Sequence, residues 1–513
     1  MKVLLIPPIA GYKSGHPQLL SLSDFPSGFA YIAAALEEAG HEVFGLNLNN
    51  RSDYADGLSL VQVKVPLAIQ KVKPDLIGVG GICTDYAFLR DVIKVIRGAC
   101  NVPIVLGGGI VSNDESVYEI LKPDYAVIGE GEDIIYRIIK ELESGIKDFG
   151  IRKRNPEHYR PIDKLPFPDY EPFGIKDMMD NFSMATRLLY RYSRENPRPY
   201  NIVTARSCPM NCTFCQHSRG IPYRARSMDN IFAEIREAYD KYHFNILIML
   251  DELFVANKAR MNEFCETLIA KKKEYGWDFD WMFQTHANAH LDKESLTLAK
   301  QAGCVFFSYR LESASQPILD SMNKHSKVEQ GIEASRLAHE AKIGFGGNLI
   351  FGDPAETEET ICESLAVWYQ HYRADMVFLG HISPYPGSAV FDYCVEKGLV
   401  PKDRREYYEH IDEQPVNMTS MSNATFQSWL LLIRGMETAW LQVKETKGIA
   451  TEDTEATEKT FLQRTGTKMW KITAVCPYCG ETVKYRQPLQ ISKSFWIGCG
   501  CTNCQKRIRI VAP

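Results

Sequence analysis

Residues 205–215 read Ala205-Arg206-Ser207-Cys208-Pro209-Met210-Asn211-Cys212-Thr213-Phe214-Cys215. Three cysteines at the spacing C-x3-C-x2-C suit a cubane iron–sulfur cluster, and three thiolates leave one of its four irons open to another ligand. The next cysteine, Cys265, lies far downstream in a helix-like run, where a small buried hydrophobe is the expected role. A zinc knuckle or three unrelated thiols is the plainer alternative.

Outward from this loop, strand-like runs at 201–204, 246–250, 281–284, 305–308, 345–351 and 376–383 alternate with helical patterns. That alternation predicts a partial (β/α) TIM-like barrel over residues 200–398, with reactive groups at the carboxyl ends of its strands. Polar or turn residues stand at those ends: Asp251 and Glu252, Arg310, Glu312 and Ser313, Gly352 and Pro354, and Pro384. Singly, each carboxylate reads equally well as a helix cap or a salt bridge. Their order after successive strands favours a site.

The cysteine spacing with Pro209 and Phe214 resembles the radical S-adenosylmethionine (SAM) superfamily. Met322-Asn323-Lys324, the run 348–357 and the run 382–388 are similar to its later signatures. The resemblance implies a [4Fe-4S] cluster on Cys208, Cys212 and Cys215, with SAM on the open iron. It also implies that Asp251 or Glu252 accepts from the SAM ammonium, that Arg310 pairs with its carboxylate and that Glu312, beside Ser313, holds ribose or amine. Gly352 and Pro354 would let adenine lie on the backbone, and Pro384 would close that pocket. Arg310 replaces a usually small residue, and Ala355 a usual glycine.

The first 145 residues pair short apolar runs at 3–6, 42–46, 76–79, 104–106 and 125–128 with helical runs at 29–39, 65–71, 88–99, 115–121 and 134–142. This is an α/β, Rossmann-like doubly wound sheet, whose ligands sit past the strand ends. Those ends carry Gly11, Thr84, Gly107-Gly108-Gly109 and Gly129-Glu130. No G-x-G-x-x-G opens the first helix and no phosphate-binding G-x-x-x-x-G-K-[ST] occurs, so dinucleotide and ATP readings are weak. A ligand-free structural domain is the bland reading. The succession Pro26–Ala34, Asp75–Gly78, Leu106–Gly109 and Asp124–Glu132 resembles the cobalamin-binding domain that precedes many radical SAM domains. It implies a corrinoid over the glycine-rich ends. None of the twelve histidines has an aspartate two residues before it, so the D-x-H-x-x-G cobalt ligand is absent.

Residues 146–199 read as a connector broken by Pro156, Pro161, Pro166, Pro168, Pro172, Pro197 and Pro199, with Arg152–Arg154 as a solvated basic turn. Residues 399–460 read as a helical extension ending in a flexible acidic linker, Thr451–Glu458. In 461–513, Cys476-Pro477-Tyr478-Cys479 and Cys501-Thr502-Asn503-Cys504 are paired C-x2-C knuckles with the spacing of a Zn2+ ribbon. Cys499 is the alternative partner in the second pair. His286 and His290, four residues apart, invite a metal reading, but a turn or the site mouth is the expected place for His286.

A chain of 513 residues, 45% hydrophobic, holds several domains. A net charge of −5 gives no basic footprint, so nucleic acid is not the default partner, although the basic end 505–509 of the ribbon leaves that reading open. The fourteen cysteines fall largely in two tight groups, which suits metal binding in a reducing compartment. A soluble cytoplasmic protein is expected, without a signal peptide or membrane span. The resemblance implies a cobalamin-dependent radical SAM methyltransferase. Its substrate would be an unactivated carbon, or phosphorus, of a small molecule or peptide, reached through a 5′-deoxyadenosyl radical and methylcobalamin. A flavodoxin or ferredoxin would supply the electron. The alternatives are a non-methylating oxidoreductase or cyclase, a tRNA-modifying relative and a non-catalytic corrinoid carrier.

Overall fold

Apolar runs buried on both faces build the sheet of the first unit, which comprises Met1–Ala185, Cys215–Pro222 and Tyr385–Gln414. Its strands are β1 (Lys2–Ile6), β2 (Glu42–Gly45), β3 (Leu76–Gly80), β4 (Ile104–Gly107), β5 (Tyr125–Ile128) and β6 (Gly150–Lys153), in the order β2-β1-β3-β4-β5-β6. All pairs are parallel. Near-continuous burial of Val3–Ile6, Leu76–Val79, Ile104–Leu106 and Tyr125–Val127 fits a sheet covered by helices on both faces. Because β1 lies between β2 and β3, strand order reverses there and a crevice opens beyond the carboxyl ends of β1 and β3. This computed structural model describes residues 1–16, 25–49, 54, 56–154, 160–180, 194, 197–216, 222–255, 257–411, 415–438, 443–454, 468–489 and 495–512.

β6 corrects the reading of Arg152–Arg154 as a solvated turn. It pairs with β5, the Arg152 guanidinium lies 5.6 Å from the Tyr125 ring centre, and the buried Arg154 side chain pairs with Asp133 at 2.5 Å. An edge strand has one neighbour only, so charged residues can pack their stems and keep their heads wet or paired. Pro156 lies outside the described residues.

The second unit comprises Thr186–Phe214, Tyr223–Pro384 and Pro415–Pro513. β7 (Pro199–Ile202) leads to β8 (Ala205–Arg206), which pairs antiparallel with β9 (Arg224–Ala225). β10 (Ile246–Met249), β11 (Asp280–Thr285), β12 (Cys304–Tyr309), β13 (Gly344–Phe351) and β14 (Met376–His381) follow. The sheet runs β14-β13-β12-β11-β10-β7, all parallel, with helices Met228–Tyr242, Lys258–Tyr275, Lys293–Gln301, Val328–Glu340 and Glu358–Val367 between strands. Each strand lies beside the next in sequence, as in an open (β/α) barrel. Phe254, Phe264, Trp281, Phe283, Phe307, Phe345 and Tyr372 form a chain of rings 5.1 to 5.9 Å apart through its core.

A five-stranded sheet closes this unit: β15 (Glu445–Glu452), β16 (Lys468–Val475), β17 (Thr482–Leu489), β18 (Phe495–Gly500) and β19 (Arg507–Ala512), in the order β17-β16-β15-β19-β18. Here the expected flexible linker is corrected, because Thr451 and Glu452 are the last two residues of a strand. They pair with Lys471 and Trp470, while Lys468 binds Glu452 at 2.8 Å and Arg486 binds the buried Asp453 at 2.6 Å. Opposite charges across the ladder turn an acidic tail into a paired strand. Residues 455–458 lie outside the described residues.

Candidate functional site

At the carboxyl end of β7 the chain turns into the cysteine loop, and Asp251 fixes the turn. Its Oδ1 accepts from the amides of Thr204 (2.6 Å) and Ala205 (3.1 Å), and its Oδ2 from the Thr204 hydroxyl. Burial nevertheless pushes the Asp251 carboxyl up to about 6. This side chain is therefore committed to the backbone ahead of the loop, a use that sequence reading missed. Ser207, next to Cys208, takes a left-handed φ of 70°.

A second brace holds the far part of the loop. Thr213 donates its amide to the Met322 carbonyl at 3.0 Å, and Asn323 Nδ2 donates to the Asn211 carbonyl at 2.9 Å. Lys324 Nζ lies 5.9 Å from the Phe214 ring centre and 3.2 Å from Glu312 Oε1, with both partners of that ion pair buried. Cys212 is buried, and Cys208 and Cys215 are half-buried.

Glu312 sits past β12 with φ 62°, a rare conformation for a residue with a long side chain. Its backbone is pinned to β13: its amide donates to the Asn348 carbonyl (2.9 Å), and its carbonyl accepts from Ile350 (2.8 Å). Strain held by surrounding structure is a mark of functional positions. Ser313 Oγ lies 3.2 Å from Ser364 Oγ and caps the Ser315 amide. Arg310 Nη2 donates to the Glu252 carbonyl (3.2 Å) and to Gln284 Oε1 (3.1 Å), while its Nε is buried without an acceptor among the described residues. A guanidinium with a spare donor suits the carboxylate of an amino acid. Glu252 is exposed.

Gly352 ends β13 at φ 104°, and its amide donates to Glu356 Oε2 at 3.2 Å. Burial raises the Glu356 carboxyl to about 7. Pro354 lies in the turn that follows, and Pro384 stands just beyond β14. His286, at the end of β11, is buried, and burial, with Lys324 and Arg310 nearby, holds it down to about 3. It is neutral at physiological pH. Ala287–Ala289 is a single 3-10 turn, so His286 and His290 share no helix face.

In the first unit the named residues line the strand ends. Gly11 follows β1 with φ 67°, and Thr84 lies in the 3-10 turn Cys83–Asp85 beyond β3. Gly107 ends β4, and Gly108 takes φ 90° so close to the next loop that a Cβ there would meet the Gly81 carbonyl oxygen at 2.5 Å. Gly109 opens the helix Gly109–Asn113, Gly129 (φ 88°) donates its amide to Ser112 Oγ at 3.1 Å, and Glu130 follows it. Such bare backbone past a sheet suits a broad, flat ligand such as a corrinoid.

The knuckles form the third centre. Cys476, Cys479, Cys501 and Cys504 bring their sulfurs within 4.8 Å of one another, the only group of three or more potential metal ligands gathered so closely among the described residues. Cys476–Cys504 and Cys479–Cys501 are each 3.7 Å apart. Four thiolates 2.3 Å from a tetrahedral zinc stand about 3.8 Å apart. Cys499 instead donates weakly to the Ile508 carbonyl at 3.9 Å. The Arg507 amide donates to the Ala374 carbonyl at 2.7 Å and so docks the ribbon on the barrel.

A profile of the radical SAM superfamily matches residues 202–367, and one of the B12 binding domain matches residues 25–139. The chain carries both a radical SAM domain and a B12-binding domain. The cofactors of these two domains are a [4Fe-4S] cluster, SAM and cobalamin. An uncharacterized methyltransferase of Pyrococcus horikoshii is 26% identical over 80% of this chain and 87% of its own length. The anaerobic magnesium-protoporphyrin IX monomethyl ester cyclase of Cereibacter sphaeroides is 25% identical over 76% of this chain and 63% of its own. Among solved structures, the radical SAM methyltransferase TsrM of Kitasatospora setae, with cobalamin and a [4Fe-4S] cluster bound, shares the fold. Its TM-score is 0.58 at 18% identity, covering 77% of this chain and 75% of that one. No described helix is long and apolar enough to cross a membrane.

Proposed function

We propose that this radical SAM enzyme is a cobalamin-dependent methyltransferase acting on an unactivated carbon, or phosphorus, of a small molecule or peptide. The observation that carries the reading is the cysteine loop, braced at the strand ends of a barrel within a chain that also bears a glycine-lined cobalamin-binding sheet. The cofactors supply one-electron cleavage of SAM and carriage of a methyl group.

In this reading Cys208, Cys212 and Cys215 hold the cluster, while Arg310, Glu312 and Ser313 orient SAM and Gly352, Pro354 and Pro384 border its adenosine. Gly11, Thr84, Gly107–Gly109, Gly129 and Glu130 border the corrinoid, and Cys476, Cys479, Cys501 and Cys504 hold a structural zinc. The exposed Glu252 carboxylate would accept from the SAM ammonium, while Asp251 shapes the loop. Residues 1–145 with the edge strand β6 form the cobalamin domain, the rest of 146–199 a connector, 200–398 the barrel, and 399–460 a helical extension whose strand β15 joins the sheet of the zinc knuckles in 461–513. A flavodoxin or ferredoxin in the cytoplasm would deliver the electron.

Anaerobic reconstitution of wild type and Cys212→Ala tests the reading. Wild type should retain iron and cleave SAM to 5′-deoxyadenosine, and Cys212→Ala should do neither; equal iron in both would end it. The resemblance to a cyclase supports a second reading, ring formation without methylation. Product mass separates the two, since methylation adds one CH2 and cyclisation adds none.

A further inference from the structure

We infer that Lys324 is a positioning residue for the iron–sulfur centre, its cation bridging the cysteine loop to the Glu312 carboxylate and setting the electrostatic potential at the cluster. The inference rests on Cys208, Cys212 and Cys215 being the cluster ligands, and it adds a residue that this assignment does not contain.

The segment Met322-Asn323-Lys324 makes three separate attachments to the loop. Met322 offers its carbonyl to Thr213, Asn323 offers its amide group to Asn211, and Lys324 lies over Phe214. Thr213 and Phe214 are the two residues between Cys212 and Cys215. The same ammonium pairs with Glu312 at 3.2 Å, where both side chains are buried, so each charge needs the other. Glu312 cannot turn away easily, because its left-handed backbone is tied into β13 on both sides. Asn323 also has a positive φ, 53°, which fixes the course of the segment into Lys324. The cation also acts beyond this pair, since burial first and Lys324 next hold the buried His286 in its neutral form. Adding an electron to a cluster is favoured by nearby positive charge and opposed by nearby negative charge, most strongly in a site shielded from water.

A purely mechanical clip and an electrostatic bridge make different forecasts for charge-changing variants. Lys324→Met leaves the Glu312 carboxylate alone and should move the cluster midpoint potential to more negative values. Glu312→Gln leaves the ammonium alone and should move it to more positive values. Lys324→Arg keeps the charge and should stay near wild type.

The experiment is redox titration of the reconstituted full-length chain, followed by electron paramagnetic resonance of the reduced cluster, with iron per chain measured for each variant. If Lys324→Met does not fold, Glu312→Gln is compared with Glu312→Gln/Lys324→Met, in which no buried charge is left unpaired. The second substitution should then shift the potential back in the negative direction. Shifts of the same sign for Lys324→Met and Glu312→Gln, or no shift between Glu312→Gln and the double variant, would overturn the inference. Methyl transfer is judged by product mass alone, so its failure would leave this comparison readable.

Discussion

Thr204 donates to Asp251 twice, once from its amide and once from its hydroxyl, with one bond to each carboxylate oxygen. The strand β7 and the start of the cysteine loop are thereby tied to the end of β10. The carboxylate is fully desolvated, and burial outweighs these hydrogen bonds in raising its pKa to about 6.

The sign of the resulting pH dependence follows from proton linkage. A folded-state pKa above the ordinary value of 3.8 means that the native state binds the proton more tightly than the unfolded chain. The contribution of Asp251 is most favourable below about pH 4 and declines as pH rises towards 6, by an amount on the order of 3 kcal/mol. Asp251→Asn cannot titrate, so the stability gap between wild type and variant should be wider at pH 4.5 than at pH 7.5 in urea unfolding. A gap that did not change with pH would refute this account.

Arg226 and Glu234 form a buried ion pair, with Tyr200 donating to Glu234 at 3.0 Å and Arg226 Nη1 to the Val203 carbonyl at 2.9 Å. Removing one charge strands the other, so Arg226→Met should cost roughly 3–5 kcal/mol. Arg226→Met/Glu234→Leu should recover most of that loss, and denaturant midpoints of the three proteins would show it.

Zinc content separates ligands from bystanders. Wild type and Cys499→Ser should each hold one zinc per chain by elemental analysis, whereas Cys476→Ser and Cys501→Ser should lose it. Retention in Cys501→Ser with loss in Cys499→Ser would exchange the two roles.

Gly108→Ala tests the floor of the first sheet. The φ of 90° and the 2.5 Å approach to the Gly81 carbonyl admit no side chain without movement, a strain of roughly 1–3 kcal/mol. Corrinoid retained after gel filtration should fall several-fold while iron per chain stays at the wild-type value. Unchanged corrinoid binding would remove these glycines from the cobalamin site.

Local pattern made much of this molecule legible. Val3–Ile6 and Ile104–Leu106 declare buried parallel strands because both faces are apolar, and the cysteine spacings declare two metal centres because thiolates so close together have few other uses. Arg152 and Glu452 hid their strands, since each borrows a partner from another element, Glu141 for one and Lys468 for the other. Asp251 was legible as an acid at a strand end, but its partner is Thr204, 47 residues away, and only tertiary structure buries it and brings them together. Lys324 was visible as part of a signature, while its pairing with Glu312 depends on a backbone conformation that no periodicity announces.

β15 lies before the two cysteine hairpins in the chain yet stands between them in the sheet, pairing with β16 on one side and β19 on the other. The knuckles are thus sewn to the segment that follows the helix Asn423–Thr438. A chain severed between residues 454 and 467 would be two polypeptides but still one particle, held by a shared strand ladder. After a cut in that stretch the zinc-bearing end would stay attached through β15.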